Sequence, residues 1–145
     1  MSLLAYQNDA TIVDGERLFR RVHVAQIVRD DDTGLARVSS GAFKDKELSI
    51  NIESVLAQTG SSPIACLRSH KAHKLMFITA GDARRFKQAV CRDPLPDDPS
   101  HGLVYGSKNN KGVSEGLRSA AKWQFPASAP LYDEIEAEKR ALGMS

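Results

Sequence analysis

The chain has 145 residues, 41% of them hydrophobic and 26% charged, with a formal net charge of +2 and two cysteines. That size suits one domain able to bury roughly two-thirds of the surface its unfolded form exposes. The composition excludes a mostly disordered chain and a disulfide scaffold, leaving Cys66 and Cys91 as reduced thiols. No stretch approaches the roughly 20 apolar residues that span a bilayer. The opening MSLLAYQNDATIVDGE lacks a basic n-region and a long apolar h-region, so a cytoplasmic protein with no membrane contact is expected.

Met1 to Gly15 shows no sustained period and reads as a loosely ordered arm with one short strand at Thr11 to Val13. Glu16 to His23 alternates as a strand does, which sets Leu18, Arg20 and Val22 on one face and Phe19, Arg21 and His23 on the other. Gln26 to Arg29 and Leu35 to Val38 flank the polar turn Asp30 to Gly34 and predict a β-hairpin. The three aspartates there lack the alternation and closing Glu of a calcium loop, so a solvated turn is the reading. Leu48 to Ile52 alternates as another strand, Glu53 to Gln58 as a short helix, and Gly60 to Pro63 reads as a loop.

Ile64 to Leu67 and Leu75 to Thr79 predict strands joined by a basic stretch, and Gly81 to Val90 a helix with Ala83, Phe86 and Val90 inward. Asp93 to Pro99 contains three prolines and reads as an extended connector. Gly102 to Gly106 follows as a buried strand, Val113 to Trp123 as a helix, and Leu131 to Leu142 as an acidic helical tail. These elements predict an α+β fold with a small, mostly antiparallel sheet and two or three helices: an arm over 1–15, one domain over 16–125, and the tail over 126–145.

Charge is unevenly placed. Residues 66 to 92 hold Arg68, Lys71, Lys74, Arg84, Arg85, Lys87 and Arg92 against Asp82, a local balance of +6, whereas Asp133, Glu134, Glu136 and Glu138 outnumber Lys139 and Arg140 in the tail. A basic run neutralises phosphates and gives salt-dependent affinity, so nucleic acid or a phosphorylated ligand is the expected class of partner. Lys108 and Lys111, in the small-residue turn before the helix that starts near Val113, are further anion candidates, although the turn lacks the order of a Walker loop. Arg20 and Arg21 complete the anion set. Cys66, His70, His73 and Cys91 are zinc-ligand types, and on a helix the first three would share a face. The second cysteine pair of a zinc module is missing, so no metal site is assigned and no cofactor is named.

His101, beside Asp97 and Asp98, is a candidate general base, since a neighbouring carboxylate orients an imidazole, but no nucleophile stands next to it in sequence. The segments Arg20-Arg21-Val22-His23, Ser39-Ser40-Gly41-Ala42-Phe43-Lys44-Asp45 and Asp93 to His101 resemble the landmarks of a group of small bacterial proteins, over about residues 16 to 123. The resemblance implies no activity. It implies only that, if the landmarks converge, Arg21, His23, Ser40, Asp93 and His101 form one polar cluster.

Three functions follow in order of support. The first is a non-enzymatic binding protein for an anionic partner, through Arg68 to Arg92 and Lys108 to Lys111. The second is a small enzyme acting on a nucleotide or phosphate ester, with His23, His101 and Ser40 as candidate catalytic residues and Arg20 or Arg21 on the anion. The third is an adaptor that docks a protein partner on the acidic tail.

Overall fold

The computed structural model describes residues 7–108 and 111–144, with Lys111 described by its backbone alone. Alternation becomes a ladder wherever it was strongest. Strands β1 (Arg17–His23), β4 (Glu47–Ile52), β5 (His73–Thr79) and β7 (His101–Tyr105) form the middle of a six-stranded sheet, after the hairpin β2 (Ile27–Arg29) and β3 (Ala36–Val38) has paired as a sheet of its own. β6 (Ala89–Arg92) and β8 (Lys122–Phe125) are the edges, giving the order β6-β7-β4-β1-β5-β8 with every neighbouring pair antiparallel. With helices α1 (Glu53–Gln58), α2 (Ala80–Arg85), α3 (Lys111–Ala120) and α4 (Tyr132–Ala141), the chain is an α+β domain.

Besides the short strand expected at Thr11 to Val13, which does not form, three elements differ from the sequence reading. Ile64 to Leu67 is not a strand but part of a 3-10 helix, Pro63–Leu67, because proline at its start supplies a helical φ and no donor is lost there. The helix expected over Gly81 to Val90 begins one residue earlier, on a reciprocal cap between Thr79 and Asp82, and stops at Arg85. Lys87 then takes a left-handed φ of 63°, and Ala89–Arg92 gains a full ladder against β7 in place of the rest of the expected helix. The helix expected to run through Trp123 ends at Ala120, and Lys122–Phe125, rich in aromatic residues, adds an edge strand to β5.

Strand parity divides the residues between two faces. One face presents Leu18, Val22, Leu48, Ile50, Ile52, Met76, Ile78, Val90 and Val104, and these form the principal core with Phe43, Leu117, Ala80 and Ala83 from the layer above. The register sets position 102 on this face, and it is a glycine there because a Cβ would stand 2.7 Å from the Cys91 carbonyl oxygen. The other face carries a smaller apolar cluster, Phe19, Leu56, Cys66 and Leu75, under α1 and the Pro63–Leu67 helix. Leu103 and Cys91 are also buried on that face, and the stretch between them and the cluster, around Ser49, Asn51, Arg21 and His101, is polar.

Residues 7–15 and α4 are both tied to the core. Ile12 is buried in it, the Asp9 amide donates to the Val90 carbonyl, and the Arg84 guanidinium gathers Asn8, Asp9 and Asp14, so residues 7–15 hold a fixed path without forming a strand. Ile135 of α4 is likewise buried in the principal core. Lys139 donates to the Ile27 carbonyl, and Glu138 pairs with Lys74. The inner side of the acidic helix is therefore used in packing. No helix among the described residues is long and apolar enough to cross a membrane.

Candidate functional site

The polar half of the second face is a cleft. Its inner part, about 230 Å³, is lined by Arg21 from β1, Ser49 and Asn51 from β4, His70 and His73 around the start of β5, His101 from β7, and Gln26. It adjoins an outer part of about 600 Å³ between the Pro63–Leu67 helix and the 95–100 turn, where Arg68, Ser69, Asp97, Asp98 and Ser100 stand. Arg21, Asn51 and His70 belong to both parts. Ser69 holds a left-handed φ of 67° at this rim, a backbone that costs a non-glycine residue free energy and persists only where surroundings impose it.

Parity explains why these side chains meet. β1 pairs Phe19 with Asn51 on one side and His23 with His73 on the other, and β4 pairs Asn51 with His101, so all of these residues point the same way. Ser49, two residues before Asn51, lies diagonally across from His101, within side-chain reach.

The His101 ring is held at both nitrogens. Nδ1 lies 2.9 Å from the Asp93 backbone oxygen and 3.1 Å from Oδ2 of its carboxylate, while Nε2 lies 3.1 Å from the Ser49 Oγ. A carbonyl and a carboxylate only accept, so Nδ1 carries the hydrogen and the neutral ring offers a lone pair at Nε2. The Ser49 hydroxyl is therefore the donor to Nε2. Asn51 in turn donates from Nδ2 to Asp98 and to the Ser100 hydroxyl, at 2.9 and 2.8 Å, which fixes the 98–100 turn over β4.

Arg21 differs from Arg17, Arg20 and Arg92, the other arginines on the six-stranded sheet, each of which has a carboxylate within 4 Å. Its guanidinium makes one long contact, Nη1 to the Cys66 carbonyl at 3.4 Å, and no carboxylate pairs with it among the described residues. Its charge is felt all the same. Burial first, and then Arg21, push the His70 pKa below its ordinary value. Burial, His23, His70 and Arg21 do so for His73, whose buried Nδ1 has no hydrogen-bond partner. The three imidazoles of His23, His73 and His70 meet edge to face, at 5.0 and 5.3 Å between centroids.

The other sequence candidates occupy different places. His23 accepts the Ala25 amide at Nδ1 and caps the short 3-10 turn Val24–Gln26, so it borders the cleft through His73. Ser40 begins the 3-10 helix Ser40–Phe43 on the far side of the sheet, next to α3, and does not join the cluster formed by Arg21, His101 and Asp93. Arg20 spends its guanidinium on the Ala42 and Ser49 carbonyls, with Asp45 at 3.6 Å. Lys108 is buried, donating to the carbonyls of Lys46, Val104 and Gly106. Loss of solvation lowers its pKa to about 8. The Lys111 side chain lies outside the described residues.

The basic run between 66 and 92 does not gather on one surface. Lys74, Arg84, Arg85 and Arg92 pair with Glu138, Asp14, Asp82 and Asp9, leaving Arg68 at the cleft and Lys71 and Lys87 exposed. Nor do the zinc-ligand types share a helix. Cys66 sits in the 3-10 helix with its thiol pKa raised by burial to about 11, His73 opens β5, and Cys91 lies on β6. Ser49 and Asn51 are the site residues that sequence reasoning missed. The signal was present in Leu48-Ser49-Ile50-Asn51-Ile52, where both polar residues share one parity.

Fold and cleft together define an antiparallel α+β domain with one packed face and one half-open polar face. No family model matches the chain, and neither a curated protein nor a solved structure does so.

Proposed function

We propose that the protein binds a phosphorylated small molecule in this cleft, with Arg21 as the anion anchor and Arg68 at the rim. The observation that carries the reading is the Arg21 guanidinium, walled by polar side chains and lacking a carboxylate partner among the described residues. Arginine presents several N–H donors in a fixed fork that matches a phosphate, and a cation desolvated by a cleft gains more from an anion than one in open water. The cleft volume lies in the range of small-ligand sites. Asp97 and Asp98 also line the cleft, where their acceptors suit the hydroxyl or amino groups of the same ligand.

A concave site favours a small phosphorylated ligand over a nucleic-acid backbone, because most of the basic residues that would track such a backbone are already paired. Calorimetric titration of the full chain with inorganic phosphate tests the reading. Binding is expected to weaken as salt rises and to fall roughly 10- to 100-fold in Arg21→Ala, the worth of one or two charged hydrogen bonds. Phosphate binding that is indifferent to Arg21→Ala, or absent at low salt, overturns it.

A further inference from the structure

We propose that Ser49 is a nucleophile, activated by His101 and positioned by Asp93, and that the cleft transfers a phosphoryl group from a phosphate ester to water. The inference rests on the anion-binding reading for its substrate class and on separate geometry for its chemistry. Nothing in the sequence places Ser49 beside His101; the β4–β7 register does.

The chemistry needs a nucleophile within hydrogen-bond reach of a base, and a third group that fixes the tautomer of the base. Ser49 Oγ stands 3.1 Å from His101 Nε2, and His101 Nδ1 stands 3.1 Å from Asp93 Oδ2. The serine, the histidine and the carboxylate thus have the roles of a serine triad, recognised by geometry and independent of fold. The nucleophile sits on a central strand whose carbonyl at Ser49 is held by Arg20, so its Oγ is fixed by the sheet and not by a loop. The hydroxyl hydrogen points to Nε2, which leaves the oxygen lone pairs for the cleft that Arg21 also lines.

Arg21 favours a phosphorus centre. A cation on the same wall as the nucleophile holds the non-bridging oxygens of a phosphoester and stabilises the charge that builds on them during displacement. In the first step Ser49 Oγ attacks phosphorus and its proton passes to His101 Nε2. The bond from phosphorus to the ester oxygen breaks, and that oxygen leaves with the electron pair and takes the proton from Nε2. In the second step water attacks the phosphoserine and gives a proton to Nε2. The bond from phosphorus to Oγ breaks, and the proton returns to Oγ. The sum is hydrolysis of the ester, with enzyme regenerated. Asp93 is a positioning residue throughout.

Two probes test this on the full chain. Diisopropyl fluorophosphate forms a bond from phosphorus to Oγ with loss of fluoride, and peptide mass mapping locates the adduct. Bis(p-nitrophenyl) phosphate reports turnover as p-nitrophenolate. Labelling at Ser49 and steady release are expected in the native chain. Both should fall at least about 100-fold in Ser49→Ala and in His101→Gln, with melting temperatures near that of the native chain. Asp93→Asn should slow labelling at saturating probe while leaving half-saturation unchanged, a split that a loss of folding does not produce. A folded chain with Ser49 unlabelled, release that survives Ser49→Ala, or release from p-nitrophenyl acetate but from no phosphoester overturns the proposal. Labelling by the uncharged fluorophosphate does not need Arg21, so the nucleophile and the anion site fail separately.

Discussion

Arg20 and Arg21 are neighbours in sequence and opposites in the fold. Arg20 points into the packed face, where desolvation lowers its pKa and two backbone carbonyls take up its donors. Arg21 points into the cleft and makes one long contact. The same residue type thus serves as a structural cap on one face and as an unsatisfied cation on the other, and strand parity alone decides which. The packed face treats its second buried cation, Lys108, as it treats Arg20, with carbonyls at 3.0 to 3.2 Å. Completed hydrogen bonding marks support, and incomplete hydrogen bonding in a concave place marks a site.

The largest effects should come from the packed face. Ile50→Ala removes a side chain that is 1% exposed between neighbouring strands, and a loss of about 2–5 kcal/mol is expected on denaturant unfolding. Gly102→Ala should cost about 1–3 kcal/mol, because the added Cβ meets a backbone oxygen of the adjoining strand that has little room to retreat. Neither change touches the cleft-facing side chains. A phosphate affinity that falls in step with stability in these variants, measured well below their melting temperatures, would show that the two faces do not act independently.

How far the sequence exposes this division depends on the element. Alternation in Glu47–Ile52 is legible because one parity is wholly apolar, and in Arg17–His23 it is legible from Leu18 and Val22 despite Arg20 between them; Ser49, Asn51 and Arg21 on the opposite parities turned out to line the cleft. Helix ends were not legible. Lys87 with its left-handed φ and the short strand Ala89–Arg92 depend on a ladder with β7, and no local pattern in GDARRFKQAV announces a partner at that distance. Trp123 fits the inward stripe of a helix as well as it fits an edge strand, and only pairing to β5 separates the two. At the site, Arg21 and His101 were visible as residue types. Ser49 was marked only as a polar residue on the cleft parity of its strand, and its place diagonal to a histidine came with the β4–β7 register.

The arginine pair sharpens the comparison directly. Arg20→Ala strips donors from the Ala42 and Ser49 carbonyls and should destabilise the domain by about 1–3 kcal/mol, with phosphate affinity little changed. Arg21→Ala should leave stability within about 0.5 kcal/mol and abolish most phosphate binding. Melting curves and titrations on both variants give four numbers, and a result in which both arginines move the same number removes the distinction drawn from parity.

The smallest effect concerns His73, and its sign can be worked out in advance. The pKa of His73 lies below 6.5, first because burial disfavours the charged ring and then because His23, His70, Arg21 and Arg20 repel the proton; His70 is lowered likewise by burial and Arg21. The unfolded chain therefore binds more protons than the folded one as the medium turns acidic. The stability contributed by these neutral rings is complete above the unfolded value of 6.5 and is lost as pH falls through the lower folded value. Melting temperature should decline between about pH 7.5 and 5.5, and His73→Gln should flatten the decline. Saturating sulfate, whose charge is constant over that window, supplies an anion beside the same rings and should flatten it too, by making the protonated imidazoles less costly. Sulfate that leaves the slope unchanged while still binding would place the anion away from His70 and His73, and so away from Arg21, whose charge both rings feel.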